Sequence, residues 1–127
     1  MKDLKLSIEI SRELASSVLG LNVVYTESCE HRDGIIGIWT DINTKPIKEI
    51  SIYELDFICR EWAYIKGFIV EIGVHPIIKQ NRNDRDYFYA IKTLNGELLK
   101  KSNVDEVMKS EQTATFKACN WILEQIK

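Results

Sequence analysis

The sequence predicts an α+β fold: a mainly antiparallel sheet with helices packed on both faces, in the order α-β-β-α-β-β-β-α. Three observations predict it. Apolar residues recur at three- and four-residue steps from Leu55 to Ile65 and at every second position from Phe68 to Val74, so the period changes from helix to strand within one stretch. Asn95-Gly96 separates two strand-like runs, as in a tight hairpin. The strand patterns fall in groups of two and three between helices, which points to antiparallel hairpins and an α+β fold.

The first element is a helix over at least Ser11 to Leu19, capped by the Ser11 hydroxyl, with Leu14, Ala15, Val18 and Leu19 on its apolar face and Gly20 as its stop. Ahead of it Leu4, Leu6, Ile8 and Ile10 alternate with polar residues, so Lys5 to Ile10 reads either as an edge strand or as an extension of the helix. Asn22 to Thr26 is a strand, Arg32-Asp33-Gly34 a turn, and Ile35 to Ile42 the returning strand. That second arm is apolar on both faces, Ile36 and Ile38 against Ile35 and Trp39, and so expects cover on both sides. Asn43 to Pro46 is a loop.

Ser51 and Glu54 have the spacing of a capping box at the start of the central helix, whose stripe is Leu55, Ile58, Cys59, Trp62 and Ile65. Gly67 ends it, and the Phe68–Val74 strand follows until Pro76 removes a ladder donor. Lys79 to Arg85 is the most polar stretch and reads as an exposed loop. Tyr87 to Leu94 is a strong strand, Asn95-Gly96 suits a two-residue type I′ turn, and Glu97 to Lys101 is a short, lysine-ended return strand. The last helix runs from about Ser110 to Ile126, with Ala118, Cys119, Ile122, Leu123 and Ile126 on its apolar side.

A chain of 127 residues, 45% hydrophobic and 28% charged, suits one domain, 1–127, with a core that needs no staple. A net charge of −2 argues against coating nucleic acid through bulk electrostatics. No apolar run reaches membrane length and the N-terminus lacks a signal-peptide core, so no membrane is expected and the cytoplasm is the expected compartment. Cys29, Cys59 and Cys119 are odd in number and widely spaced, which is no disulfide framework.

Two segments carry a resemblance. One is Ile50-Ser51-Ile52-Tyr53-Glu54-Leu55 continuing through Cys59-Arg60-Glu61-Trp62-Ala63 to Gly67-Phe68; the other is Ser110-Glu111 followed by Ala114-Thr115-Phe116-Lys117-Ala118-Cys119-Asn120-Trp121-Ile122-Leu123. Together they resemble a group of small, uncharacterised phage and prophage proteins with an α-β-α sandwich domain. The resemblance implies that fold and a phage or prophage origin, hence a bacterial host cell, and it transfers no catalytic residue.

Chemistry-bearing clusters are sparse. Cys29-Glu30-His31-Arg32-Asp33 gathers metal-ligand types but lacks paired C-x-x-C spacing, so it reads as a polar turn and no metal is expected. Cys29 with His75 or His31 has no nucleophile motif around it, and the isolated glycines form neither a P-loop nor a dinucleotide fingerprint. No catalytic residue and no cofactor is expected. From Ile52 onward the order α-β-β-β-α is that of a double-stranded-RNA-binding domain, and Lys79, Arg82, Arg85, Lys100 and Lys101 would be its phosphate contacts. Against this, the last helix opens on Ser110-Glu111-Gln112-Thr113 behind Asp105 and Glu106, where such domains resemble one another in carrying lysines.

The expectation is therefore a non-enzymatic accessory protein acting by binding. Its partner is a host or phage protein, or a small nucleotide-like ligand held by Arg60, Arg82, Arg85, Tyr87 and Tyr89, with counter-defence as a fitting role. Among the aromatics Trp39, Trp62, Trp121, Tyr53, Tyr64, Tyr87 and Tyr89, most are expected in the core. Any exposed together would suit a homodimer or partner interface.

Overall fold

The computed structural model describes residues 9–28, 34–74, 86–103, 106 and 108–127. Within them the chain runs α1 (Arg12–Leu19), β1 (Tyr25–Ser28), β2 (Ile35–Trp39), β3 (Lys48–Ser51), α2 (Ile52–Ile65), β4 (Phe68–Val74), β5 (Tyr87–Thr93), β6 (Leu98–Lys101) and α3 (Glu111–Ile126). This is an α+β fold. The strands divide into two three-stranded antiparallel sheets, β1-β2-β3 and β4-β5-β6, where the sequence suggested one sheet. An antiparallel meander followed by a helix thus occurs twice in succession. No helix among the described residues is long and apolar enough to cross a membrane.

The Ser11 hydroxyl accepts from the Leu14 N–H at 3.1 Å and donates to the Asn120 side chain at 2.8 Å, so one group caps α1 and ties it to α3. Gly20, at φ 68°, ends α1 in the left-handed region. Residues 5–8 of the ambiguous N-terminal segment lie outside the described residues, as do Arg32 and Asp33 of the expected turn. β1 begins three residues later than expected, because Val23 turns into the core while Glu27 and Ser28 pair with Gly37 and Ile36. β2 stops at Trp39. Beyond it the Asp41 carboxylate accepts from the Asn43 N–H at 3.0 Å and the Asp41 carbonyl from the Thr44 N–H at 3.2 Å, which turns the chain and leaves Ile42 exposed.

The two apolar faces of β2 are both covered, by different means. Ile36 and Ile38 are buried in the core. On the other face the Trp39 ring lies over Gly37 and against Tyr25, with ring centroids 5.1 Å apart, and its Nε1–H donates to the Thr44 carbonyl at 3.0 Å. β3 has no counterpart in the sequence pattern: Lys-Glu-Ile-Ser holds one apolar residue of consequence, Ile50, and the strand exists through its pairing with β2. It enters α2 without a loop. Ser51 pairs with Ile35 as the last residue of β3, and its hydroxyl accepts from the N–H groups of Tyr53 and Glu54 at 3.1 and 3.4 Å.

In the second sheet Val70 faces Ile91 and Ile72 faces Tyr89, which puts the large buried side chains of β4 and β5 on one side, with Ala90 the small buried residue on the other. The other side carries the Lys92–Glu71 ion pair at 3.0 Å and Lys101 over the Phe88 ring. The β5–β6 turn differs from the expected type I′, in which Asn95 would need a positive φ; no residue but glycine has one among the described residues. Thr93 donates to the Glu97 carbonyl across three loop residues, Gly96 at φ 90° donates back to the Thr93 carbonyl, and the result is a type I turn closed by a glycine bulge. α3 starts after Ser110, whose hydroxyl caps it, and lies on β4 and β5, with Phe116 buried and Ile126, expected on the apolar side, 41% exposed. One buried cluster joins α1, both sheets, α2 and α3.

Gly37 is a packing requirement. A Cβ there would stand 2.8 Å from the Trp39 ring, which is held by Thr44 and Tyr25. Gly37→Ala is expected to cost about 1–3 kcal/mol through overpacking, read by urea unfolding, with a red shift in tryptophan emission as the indole loses its cover.

Candidate functional site on the second helix

α2 has two faces of opposite character. Leu55, Cys59, Trp62 and Ala63 are buried on one. On the other, Tyr53, Phe57 and Tyr64 are 68%, 64% and 59% exposed. With Arg60 these positions fall at i, i+4, i+7 and i+11, one stripe along the helix. Exposed Glu54 and Glu61 line one flank of that stripe. Ile65 was expected on the buried stripe but is 78% exposed. A straight helix drifts by about 20° per seven residues against such a repeat, and by the last turn Ala63 has taken the inward position.

A polar clasp fixes the rotation of α2. The buried Asp56 carboxylate accepts from Arg60 Nε at 2.9 Å and from Gln112 Nε2 at 3.5 Å. Arg60 Nη2 also reaches Glu111 Oε2 at 3.2 Å and the buried Thr115 hydroxyl at 3.3 Å. A carboxylate out of water needs such partners, and these come from both helices, so α2 is held against α3 in one orientation. Deeper, the Cys119 thiol donates to the Cys59 carbonyl at 3.6 Å. The Cys59 thiol is pushed up, first by its hydrogen bond with Cys119, then by burial and the charge of Asp56. It stays protonated at neutral pH and is no nucleophile there.

The residues singled out from sequence do not gather into one site. Arg60 faces two carboxylates of its own chain, so it belongs to the clasp and not to a pocket rim. Tyr89 is in the core; burial and then the charge of Glu106 push its hydroxyl up, and its N–H donates to the Ser102 hydroxyl at 3.1 Å. Tyr87 is half-buried at the head of β5, where its N–H donates to the Met108 carbonyl at 2.9 Å. Lys100 and Lys101 are successive strand residues and project to opposite faces, Lys100 beside Ile91 and Lys101 beside Ala90, so they form no common basic surface. Lys79, Arg82 and Arg85 lie outside the described residues, as do Cys29, His31 and His75. Glu111 stands in the first turn of α3, as read from the sequence, and Glu106 just upstream pairs with Lys117 at 3.5 Å.

A cleft of about 330 Å³ opens between α1 and the end of α3, lined by Ser11, Glu13, Asn120, Trp121, Glu124 and Lys127. Ser11 there is engaged with Asn120 and Lys127 with Glu124 at 3.2 Å, while Glu13 pairs with Arg12 at 3.2 Å. Among the described residues no group of three His, Cys, Asp or Glu side chains is placed to hold a metal ion. The chain matches no protein-family model, and neither the curated proteins nor the solved structures contain a significant match to it. The candidate site is therefore argued from geometry: the aromatic stripe of α2. Phe57 escaped the sequence reading, although the wheel that buries Leu55, Cys59 and Trp62 necessarily turns Tyr53, Phe57 and Tyr64 the other way.

The clasp predicts non-additivity. Arg60→Ala is expected to cost about 2 kcal/mol, between the values for exposed and fully buried ion pairs. In a double-mutant cycle by urea unfolding, Asp56→Ala together with Arg60→Ala is expected to cost clearly less than the two single changes added. The raised thiol predicts alkaline sensitivity. Below the ordinary thiol value of 9.0, Cys59 is protonated in both the folded and unfolded chain. As pH rises past it the unfolded chain releases its proton first, so stability falls with pH. The urea midpoint is expected to drop above about pH 9, and Cys59→Ala to flatten that slope.

Proposed function

We propose that this protein acts by binding another protein through the exposed aromatic face of α2, as a non-enzymatic accessory factor. The observation that carries the reading is the stripe Tyr53, Phe57, Tyr64 on a helix whose rotation the Asp56–Arg60 clasp holds. Large aromatics offer much contact area for little conformational entropy and are enriched at protein interfaces. A helix face with anchors one and several turns apart is a recurrent mode of recognition. A nucleotide-like ligand has less support, because Arg60 and Tyr89 are committed to the clasp and the core. The nucleic-acid reading is opposed by the acidic entry to α3 at Glu106 and Glu111 and by the divergence of Lys100 and Lys101. The sequence resemblance supports a phage or prophage setting in the cytoplasm of a bacterial host, where counter-defence is a role that binding alone performs.

A photo-crosslinking amino acid at position 57, introduced in bacterial cells expressing the protein, tests this. It is expected to yield one discrete protein adduct, lost when Tyr53 and Tyr64 are changed to Ala, with no such adduct from position 97 in the β5–β6 turn. These exposed substitutions should shift stability by no more than about 0.5 kcal/mol. Absence of an adduct specific to α2 from a folded protein overturns the reading.

A further inference from the structure

The charges around the α2 stripe narrow the partner's chemistry. Glu54 and Glu61 stand on one flank, on the same helical row as each other. Arg60, within the stripe itself, is answered from the other side by Asp56 and Glu111. The stripe thus carries two exposed carboxylates along one flank, while its one guanidinium is engaged by the buried Asp56 and by Glu111. A second copy of the chain is a poor occupant. Antiparallel two-fold pairing of α2 with α2 brings like flanks together, setting Glu54 and Glu61 beside the partner copy's own pair. Parallel pairing sets that flank towards Arg60, whose charge Asp56 and Glu111 already answer, with the exposed Glu111 carboxylate beside it. Either arrangement crowds carboxylates in a partly dehydrated seam.

From this we infer that the face receives a basic amphipathic segment of the partner protein, with apolar side chains on the Tyr53–Phe57–Tyr64 rings and Lys or Arg against Glu54 and Glu61. Long basic side chains suit both parts of the surface. Their stems lie along aromatic rings, and their charged ends meet either a carboxylate or a ring face. Acidic residues on this row cost nothing when solvated, and they select against acidic and self partners while speeding encounter with basic ones.

This inference rests on the protein-binding reading of the same face, and one experiment separates the two. Full-length protein is titrated, by calorimetry at low salt, with two helical peptides of equal length, one built from Leu and Lys and one from Leu and Glu. The expected result is binding of the Lys peptide alone, weakened about tenfold by Tyr53→Ala with Phe57→Ala, and weakened by added salt. Glu54→Lys with Glu61→Lys is expected to transfer binding to the Glu peptide, while Glu97→Lys, which adds the same charge away from α2, changes nothing. If both peptides bind alike and both need Tyr53 and Phe57, the basic partner is refuted and the protein-binding face stands. If neither binds, or binding ignores Tyr53 and Phe57, both readings fail. A concentration-dependent dimer lost with Tyr53→Ala and Phe57→Ala names a second copy as the occupant and overturns the inference. Binding of a 20-base-pair RNA in place of the Lys peptide does so too.

Discussion

The Asp56 carboxylate sets the terms for most of this molecule. It is 7% exposed, and a charge so placed is tolerable only with donors in reach. Arg60, one turn away on the same helix, supplies one; Gln112 of α3 supplies another. Since the donors are divided between two helices, α2 cannot turn about its axis without stranding the charge. That single constraint decides which side of α2 enters the core with Cys59 and Trp62, and which side meets water with Tyr53 and Phe57. Apolar packing alone specifies this less sharply, because α2 carries large apolar residues almost all the way round.

The parts of the fold legible in the sequence are those whose pattern is local and repeated. α1 and α2 begin at serine caps that the sequence names, Ser11 and Ser51, α3 begins at the expected Ser110, and β4 follows from strict alternation. β3 was not legible, since a four-residue strand with a single inward residue has no period to detect and is made by its neighbour β2. The β5–β6 turn was half legible. Asn-Gly announces a reversal, but whether two or three residues close it depends on the register of the strands, which is a tertiary matter. β2 is shorter than its hydrophobicity predicts for a related reason: Asp41 offers its own carboxylate to the backbone and ends the ladder.

The candidate site was legible to a smaller degree. Composition drew attention to basic and aromatic residues, but Arg60 spends its charge within the fold and Tyr89 its ring within the core. What the sequence did contain was the complement of the buried stripe. A helix with a continuous inward face also has a continuous outward one, and aromatic residues there mean more than aromatic residues counted along the chain. Burial cannot be read from residue type; it has to be read from phase.

The absence of a loop between β3 and α2 has a further consequence. Ser51 is both a rung of the first sheet and the first bond of the helix, and α2 touches β3 at one end and β4 along its side. The repeated meander-and-helix succession looks divisible, yet the helix that closes the first meander is the same one that roofs the second. A cut before α2 takes away the strand residue that caps it, and a cut after it parts β4 from the helix along its side and leaves α3 alone on the second sheet. The topology is a pair with a shared member, and the chain is therefore a poor candidate for being split, duplicated by halves or lengthened at its centre, while the exposed β5–β6 turn is open to lengthening.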